Sequence, residues 1–569
     1  MVVRHCYFSA AVLAAVTVLL LGAACSRSRA RPAEPVNGEQ AQTDRAVARG
    51  KHGMIAAAHP LAVQIGVDVL KQGGTAVDAA IAVNAALGVM EPMSCGIGGD
   101  LFALVWDAKA AKLVGLNASG RSPRAISADK VERDKEGGIP ADSPASWTVP
   151  GAVDGWFTLH ARFGRLPMKD LLAPAIRAAR EGVAVPPVIA RDWRRSGRTG
   201  YAETFLPAPA EGNIFKNPHL ARSYELIAEG GRDAYYKGPL AAAIVRFAEK
   251  ERGFYAREDF ADHRSDWVDP ISTDYRGYTV WQIPPNGQGL SVLQMLNVLE
   301  NFDLKAMGRS SADFWHTLIE TKKLVFEDRA RYYGRPEAMN VSMAALLAKD
   351  YARRRAKLID PAKAAPRCSP GFEGSDTTYL ATADADGNMV SLIQSNYEAC
   401  GSGYVPDGLG FCLQDRGAQF SLVPGTPNFL EGGQRPFHTI IPGFVTKSGK
   451  PYLAYGVMGG DFQPQGHVQV LINILDFGMD LQQAGDAPRF RHLGSTEPAG
   501  LMKPMTDGGS VYLEPGVSSE VRSELLRRGH RMMSDPVSYG GYQAIRRNPE
   551  SGSYEGATES RKDGRALGY

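Results

Sequence analysis

The sequence lacks a strong excess of charge of either sign. It carries 64 Lys and Arg residues against 61 Asp and Glu residues, a net charge of +3 over 569 residues. Proteins that bind nucleic acids usually show a clustered basic excess. This near balance therefore argues against a nucleic-acid partner.

Cysteine is also scarce. Six cysteines are present without a CxxC pair, and two of them, Cys6 and Cys25, lie at the N-terminus. The other four show no spacing that pairs them. A chain of this length can bury enough apolar surface to fold without disulfides.

Several catalytic and binding motifs are missing. The eleven histidines form no HExxH, and no GxSxG is present. The first absence argues against a zinc protease, and the second against a serine α/β-hydrolase. The glycine-rich CGIGGD at 95–100 lacks the lysine and the spacing of a phosphate-binding loop, so it does not predict a nucleotide site.

Only one apolar run approaches the length of a membrane span. It extends from Tyr7 to Ala24, follows Arg4 and His5, and is followed by Cys25 and an arginine-rich polar stretch. This pattern is typical of an export signal. We expect residues 1–25 to be a signal peptide, either of the lipoprotein type with lipid on Cys25, or cleaved for secretion, or retained as an anchor. The protein is then periplasmic, membrane-attached or secreted.

The remaining sequence has the composition of a folded globular protein, with 44% apolar residues and 62 glycines. Residues 26–46 form a polar linker, and helical patterns then precede strand-rich sequence, which favours layered α and β structure. The capping box at Thr75–Asp78 predicts the start of a helix. The sequence that follows is apolar nearly all round, which predicts that this helix is buried. The mixed charges of 314–334 predict a solvated helix, and 352–376 an exposed loop.

Two strand-like runs, TTYLATA and MVSLIQS, flank DADGN at 384–388. Asp-Gly between such runs is a strong hairpin signal. A turn centred on Asp386 places Ser395 opposite Thr377. An ordinary surface hairpin would show the same pattern.

An internal threonine hydroxyl is a weak nucleophile, because no base is held next to it. Cleavage of the preceding bond creates an α-amino group with a pKa of about 7.7–8.0. That amine can accept the hydroxyl proton, so one residue supplies both nucleophile and base.

These features occur together with a series of ordered motifs. They are GMIAAAHPLA, GGTAVDAAIAV, EPMSCGIGGD, VPGAV, LLAPAI, DYRGY, PPNGQG, DTTYL, DADGN, CGSG and MGGD. From about Gly50 to the C-terminus the chain resembles the γ-glutamyltranspeptidase family of N-terminal-nucleophile hydrolases. The resemblance implies an α+β fold, a four-layer αββα sandwich. It also implies a proenzyme cut between Asp376 and Thr377 into a heterodimer of 47–376 and 377–569.

The resemblance implies a catalytic set that is intact. Thr377 matches the nucleophile, and Ser395 stands where the family usually has a second threonine hydroxyl. Gly459 and Gly460 match the glycine pair whose amides form the oxyanion hole. No metal or organic cofactor is implied.

The substrate-binding positions depart from the family. Ser119 replaces the arginine that binds the γ-glutamyl carboxylate, although Arg121 lies two residues further on. Gln419 replaces the aspartate that binds the α-amino group, and Arg416 replaces a glutamine. His438 and Thr439 replace paired serines, and Tyr397 completes the predicted set.

We therefore expect hydrolysis or transfer of a γ-glutamyl group from a glutathione-like small molecule to water, an amine or a dipeptide. An acylase for another dicarboxylyl amide and a non-catalytic envelope protein are the alternatives. Three residues also have a plain structural interpretation: Ser395 as a hairpin residue, Arg416 as an ion-pair partner and His438 as a packing residue.

Overall fold

The computed structural model describes residues 45–196, 202–368, 378–535 and 537–569. The predicted signal segment with Cys25, and the linker up to residue 44, lie outside these ranges. So do Asp376 and Thr377. Among the described residues, no helix combines the length and apolar character needed to cross a membrane.

Short runs of strands and of helices follow one another along the chain. The strands are β1 (Ala48–Gly50), β2 (Met54–Ala57), β3 (Asp100–Asp107), β4 (Lys112–Ala118), β5 (Val183–Ala184), β6 (Ile214–Phe215), β7 (Asp266–Val268), β8 (Ile271–Tyr275), β9 (Tyr278–Gln282), β10 (Thr378–Ala383), β11 (Met389–Ser395), β12 (Gly443–Lys447), β13 (Lys450–Met458), β14 (Phe490–Leu493), β15 (Ser510–Leu513), β16 (Met532–Met533), β17 (Gly541–Arg547), β18 (Tyr554–Thr558) and β19 (Arg565–Gly568). The helices are α1 (Pro60–Lys71), α2 (Ala76–Met90), α3 (Ala152–Phe163), α4 (Met168–Glu181), α5 (Pro187–Arg195), α6 (Ala202–Phe205), α7 (Pro218–Tyr236), α8 (Pro239–Lys250), α9 (Arg257–Ala261), α10 (Gly289–Leu299), α11 (Leu304–Met307), α12 (Ala312–Tyr332), α13 (Met343–Leu347), α14 (Lys349–Ala356), α15 (Phe462–Leu475), α16 (Leu481–Asp486) and α17 (Ser519–Arg527).

Two seven-stranded antiparallel sheets form the centre of the molecule. One has the order β1-β18-β17-β13-β12-β9-β8, and the other β19-β2-β10-β11-β3-β4-β7. Their facing sides bury an apolar layer that includes Phe102, Phe444 and Met458. Alternate residues of each strand point to opposite faces, so each sheet also buries its outer face.

Helices cover both outer faces. α1–α4, α7 and α8 pack on the sheet that contains β10 and β11. α10, α12 and α15–α17 pack on the other sheet. The result is the expected four-layer αββα sandwich.

The buried helix predicted after Thr75 is confirmed. α2 begins with the predicted capping box: the Thr75 hydroxyl accepts from the Asp78 amide, and the Asp78 carboxylate accepts from the Thr75 amide. Every residue of α2 is buried. Its nearly uniform apolar sequence suits a position enclosed on all sides.

The prediction of a solvated helix over 314–334 is wrong. Most of α12 is buried, including six of its charged side chains: Glu320, Lys322, Lys323, Glu327, Asp328 and Arg329. The charges are compensated inside the protein: the Lys323 ammonium lies 2.7 Å from the Glu320 carboxylate, and Arg355 lies 3.3 Å from Asp328. Buried charges of this kind need such partners.

The predicted exposed loop over 352–376 is also partly wrong, because α14 extends to Ala356 and buries Ala352. The C-terminal region is fully part of the sandwich. It supplies β17, β18 and β19, which complete both central sheets.

Candidate functional site

The hairpin of β10 and β11 lies in the middle of its sheet, between β2 and β3. Its register is the predicted one where the structure describes it, from Thr378 opposite Gln394 to Ala383 opposite Met389. Ser395 ends β11 and is fully buried. Its predicted partner Thr377 lies outside the described residues.

The hairpin turn is tied to α2. The Asp384 carboxylate accepts hydrogen bonds from the Asn388 amide (3.0 Å) and from the Ala76 amide (2.9 Å), where α2 begins. Gly387 supplies the positive φ (+91°) that the turn requires. The turn residues therefore fix both the register and the position of the hairpin.

The CGIGGD turn supports the end of β11. A Cβ on Gly99 would lie 2.4 Å from the Ser395 carbonyl oxygen, and one on Gly98 would lie 1.8 Å from the Cys412 carbonyl oxygen. Only glycine fits such close backbone approaches. Gly99 thus allows the turn to pack against the end of β11, and Gly98 allows it to pack against Cys412.

Ser395 connects to the predicted substrate residues through Tyr397. The Ser395 hydroxyl accepts a hydrogen bond of 2.9 Å from the Tyr397 amide. Tyr397 has a φ of +82°, which is uncommon for a residue with a side chain. Its ring lies under the Arg416 guanidinium, with 4.3 Å between ring centroid and Cζ.

Arg416 begins a short 3₁₀ turn, Arg416–Gln419, and is fully buried. Its Nη1 donates to the Thr439 hydroxyl at 2.8 Å. Its Nε and Nη2 have no hydrogen-bond partner among the described residues. Burial lowers its pKa to about 10, and the negative charge of Asp100 opposes that shift. The guanidinium therefore stays charged at neutral pH.

The predicted oxyanion glycines follow β13. Gly459 and Gly460 have φ of +124° and +61°, a turn that glycine adopts readily. The Gln288 carboxamide donates to the carbonyl oxygens of Gly460 (2.9 Å) and Thr439 (2.7 Å). An unbroken series of contacts thus joins Ser395 to the glycine turn. Arg329 donates in turn to the Gln288 oxygen.

Gln419 also contacts Tyr397. Its carboxamide nitrogen donates to the Tyr397 hydroxyl, and its carboxamide oxygen has no partner among the described residues. Both side chains are buried, and both line a cavity of about 410 Å³.

The His438 ring contacts the Asp100 carboxylate, and both side chains are fully buried. The Asp100 carboxylate is 3.1 Å from the His438 Nε2 and accepts from the Gly120 and Gly151 amides. Burial, assisted by Arg416, lowers the pKa of His438 to about 3, so the ring is neutral. Its Nδ1 accepts from the Ile440 amide at 3.4 Å. Both ring nitrogens face the protein, which favours the packing interpretation.

The side chains of Ser119 and Arg121 lie in different environments. The Ser119 hydroxyl donates to the Asn117 carboxamide oxygen at 2.7 Å and is fully buried. Arg121 is 35% exposed and forms an ion pair with Asp266 at 3.2 Å. Arg435 shares that carboxylate, and its Nε donates to the Ser119 carbonyl oxygen at 2.8 Å.

Sequence reasoning did not identify Asp100, Gln288 or Arg435. Asp100 ends the quoted EPMSCGIGGD motif and Gln288 lies in PPNGQG, so the motifs contained a signal for both. Arg435 had none, because its partner Asp266 is remote in sequence.

One group of side chains among the described residues has metal-ligand chemistry. His316, Glu320 and His530 are buried, with candidate ligand atoms within 4.8 Å of one another. His316 Nδ1 and His530 Nε2 already share a hydrogen bond of 2.9 Å, and the Lys323 ammonium donates to the Glu320 carboxylate. Burial, assisted by Lys323, lowers the pKa of His530 to about 2. A neighbouring cation disfavours a metal ion, so this cluster is better explained as a structural network.

Known proteins match this chain over most of its length. The chain is 37% identical to the glutathione hydrolase-like YwrD proenzyme of Bacillus subtilis (strain 168), over 91% of this chain and 99% of the relative. It is 34% identical to the acylase ACY 1 proenzyme of Pseudomonas sp. (strain V22), over 91% and 93%. The solved structure of cephalosporin acylase from Bacillus halodurans superposes with a TM-score of 0.85 at 42% identity, over 92% and 97%.

The model of the family described as Gamma-glutamyltranspeptidase matches residues 62–569, which include both central sheets and the hairpin. The αββα fold agrees with that match, since the superposed structure is an acylase of the same architecture. The chain belongs to the γ-glutamyltranspeptidase family of N-terminal-nucleophile hydrolases.

Proposed function

We propose that this chain cleaves itself between Asp376 and Thr377 and then hydrolyses or transfers an acyl group that ends in a carboxylate, of the glutaryl or γ-glutamyl type. The Thr377 hydroxyl attacks the amide carbonyl while its own α-amine takes the proton. The amine product leaves with a proton, and water or a second amine releases the acyl group from Thr377.

The neighbouring groups support the chemical step. The Ser395 hydroxyl can both donate and accept a hydrogen bond, as the family's threonine does. The amides of Gly459 and Gly460 are candidates for binding the oxyanion. Each such donor commonly contributes about 3–4 kcal/mol to the stability of the tetrahedral intermediate.

Arg416 is the observation that carries the substrate proposal. Its guanidinium is fully buried, yet two of its nitrogens, Nε and Nη2, have no hydrogen-bond partner among the described residues. Leaving a buried charge without partners is costly. A substrate carboxylate would supply a charge-assisted, two-pronged hydrogen bond at this position. The acyl group is therefore expected to carry an anion.

The amine-binding half of the γ-glutamyl site is weak in this chain. Uncharged Gln419 stands where the family has the aspartate that binds the α-amino group. A glutaryl amide differs from the γ-glutamyl amide only in lacking the α-amino group. We expect the enzyme to cleave glutaryl amides at least as well as γ-glutamyl amides. The relative named as an acylase supports an acyl group other than γ-glutamyl.

A γ-glutamyl substrate is the second candidate. The Gln419 carboxamide oxygen has no partner among the described residues, so it can accept a hydrogen bond from an α-ammonium group. Such a neutral acceptor binds an ammonium less strongly than a carboxylate does. The relative named as glutathione hydrolase-like supports this candidate.

Two measurements test the proposal. Denaturing electrophoresis of the purified protein is expected to show two fragments, and Thr377→Ala one. A single uncut band from the native sequence would leave the non-catalytic alternative. The kcat/KM values for glutaryl-p-nitroanilide and γ-glutamyl-p-nitroanilide then decide between the two acyl groups.

A further inference from the structure

The turn between β13 and α15 carries the two amides that are candidates for binding the oxyanion. In a trans peptide the N–H and C=O groups point in opposite directions. The Gly459 carbonyl accepts from the Phe462 amide at 3.0 Å, so the Gly460 amide points away from α15. The Gly460 carbonyl accepts from the Gln463 amide at 3.1 Å and from the Gln288 carboxamide at 2.9 Å. The direction of the Gly460 amide therefore depends on how these two carbonyls are held.

Gln288 reaches this turn from the start of α10 and is fully buried. The same Nε2 that donates to Gly460 also donates to the Thr439 carbonyl, at 2.7 Å. The Gln288 backbone amide donates to the His438 carbonyl at 3.0 Å. Main chain and side chain of Gln288 thus bind one segment, and the side chain joins that segment to the glycine turn.

Arg329 fixes the direction in which the Gln288 carboxamide faces. Its guanidinium donates to the Gln288 Oε1. A guanidinium can donate but not accept, and a carbonyl oxygen can accept but not donate. The opposite orientation of the carboxamide would therefore set donor against donor and acceptor against acceptor. Arg329 is itself fully buried, with its Cζ 3.6 Å from the centroid of the Phe326 ring. A buried cation thus keeps the Gln288 donor directed at the glycine turn.

The segment that Gln288 binds also contacts the buried arginine of the site. The Thr439 hydroxyl accepts from Arg416 Nη1 at 2.8 Å, and its carbonyl accepts from Gln288. The acyl group has to reach Arg416 and the oxyanion amides at the same time. A displacement of about 1 Å can reduce a rate by about 100-fold. On the basis of the proposed function, we infer that Gln288 is a positioning residue for the oxyanion, acting through Gly460 and Thr439.

Gln288→Met removes the donor and keeps a side chain of similar length. With glutaryl-p-nitroanilide, kcat per mole of cut protein is expected to fall roughly 10- to 100-fold. KM should change by less than about threefold, because the planar carbonyl of the bound amide carries little of the charge that the amides stabilise in the intermediate.

A binding measurement makes the same test without turnover. In the boronic acid analogue of the glutaryl group, the Thr377 oxygen adds to boron while its proton passes to the α-amine, which leaves a tetrahedral anion. Gln288→Met should weaken binding of this analogue by about the same factor as it lowers kcat. Binding of glutarate, which forms no such anion, should stay within about twofold. Isothermal titration calorimetry measures both.

Gln288→Glu separates hydrogen bonding from packing. The carboxylate has nearly the size of the carboxamide and can pair with Arg329, but it has no N–H for the Gly460 and Thr439 carbonyls. We expect kcat to fall at least as far as in Gln288→Met. Native kcat in Gln288→Glu would overturn the inference.

Gln469→Met is the matched control. Gln469 is also buried, and its Nε2 donates to two carbonyls, those of Gln465 (3.0 Å) and Phe490 (3.1 Å). Both Met variants leave two buried carbonyls without this donor, so both should lower the unfolding temperature by similar amounts. The Gln469 variant should keep the native kcat.

Equal kcat values in the two Met variants would show that Gln288 has a structural role alone, and would overturn the inference. A Gln288→Met protein that stays uncut, while Gln469→Met is cut, would also overturn it, because Gln288 would then be needed to form the site. Native protein that is cut but releases no p-nitroaniline from either anilide would instead refute the proposed function, and with it the role given to Gln288.

Discussion

At the scale of single residues, Arg416 is a buried cation that donates no hydrogen bond to a carboxylate among the described residues. Arg416→Gln restores a neutral amide, and we expect kcat/KM for glutaryl-p-nitroanilide to fall roughly 100-fold, equivalent to about 2.7 kcal/mol. The unfolding temperature should stay the same or rise, because removing a desolvated charge lowers the cost of burial. Steady-state kinetics and calorimetry measure the two effects.

Arg124→Gln is the control for this change. Arg124 is an exposed arginine paired with Asp262, and its removal should alter neither quantity appreciably. If Arg416→Gln instead lowered stability strongly and left kcat/KM unchanged, Arg416 would be a structural ion-pair residue.

Residue identities could be carried over from the motifs, but their environments could not. The sequence placed Arg416, Thr439 and Tyr397 in one predicted set, and the structure brings them into contact. It gave no indication that His438 faces Asp100, 338 positions earlier. Such partners depend on how the strands are ordered in the sheet, which no local pattern records.

At the scale of elements, the β10–β11 hairpin depends on Asp384. Its carboxylate accepts from the Asn388 amide and carboxamide and from the Ala76 amide, and the residue is 4% exposed. Asp384→Ala leaves these donors without partners, which should lower the free energy of unfolding by about 2–4 kcal/mol. It should also slow the production of two fragments, since the turn positions the strand that begins after Thr377. Urea unfolding and a time course on denaturing gels measure these effects.

The same turn supplies a matched control. Asp386 is two residues away, exposed, and paired with exposed Arg165. Asp386→Ala should change the free energy of unfolding by less than about 1 kcal/mol. Equal losses in the two variants would refute the role given to Asp384.

Elements with local signals could be predicted, and those stabilised by distant partners could not. The Asp-Gly turn predicted the hairpin register, and the capping box predicted the start of α2. The charged pattern of α12 predicted solvent exposure, whereas the structure buries it. Lys322 illustrates the reason: it donates to the Ser495 hydroxyl, 173 positions later.

At the scale of the whole molecule, both central sheets combine strands from the two sides of the predicted cut. In one sheet β10, β11 and β19 lie among β2, β3 and β4, and in the other β12, β13 and β17 lie among β9, β8 and β1. Separating the fragments would expose the edges and faces of both sheets. We expect the cut protein to elute as one species during gel filtration and to separate only in denaturant. Fragments that elute apart without denaturant would contradict this.

Acid should destabilise the whole fold, because several histidines are buried in the neutral form. Burial lowers the pKa of His438 and His467 to about 3 and that of His59 and His263 to about 4. In the unfolded chain each has a pKa of about 6.5, so between pH 6.5 and 4 the unfolded state binds more protons than the folded state. Their contribution to stability is therefore complete above pH 6.5 and is lost as the pH falls, by about 1.4 kcal/mol per pH unit for each histidine. The unfolding temperature, followed by calorimetry from pH 7.5 to 4.5, should decrease progressively.

His467→Gln removes one of these rings and should therefore weaken the pH dependence by the contribution of one histidine. Glutamine can still accept the hydrogen bond of 3.1 Å that the Val457 amide donates to His467 Nε2. His219→Gln, at an exposed position, should leave the dependence unchanged. An unfolding temperature that is constant over this range would show that these rings are protonated equally in both states.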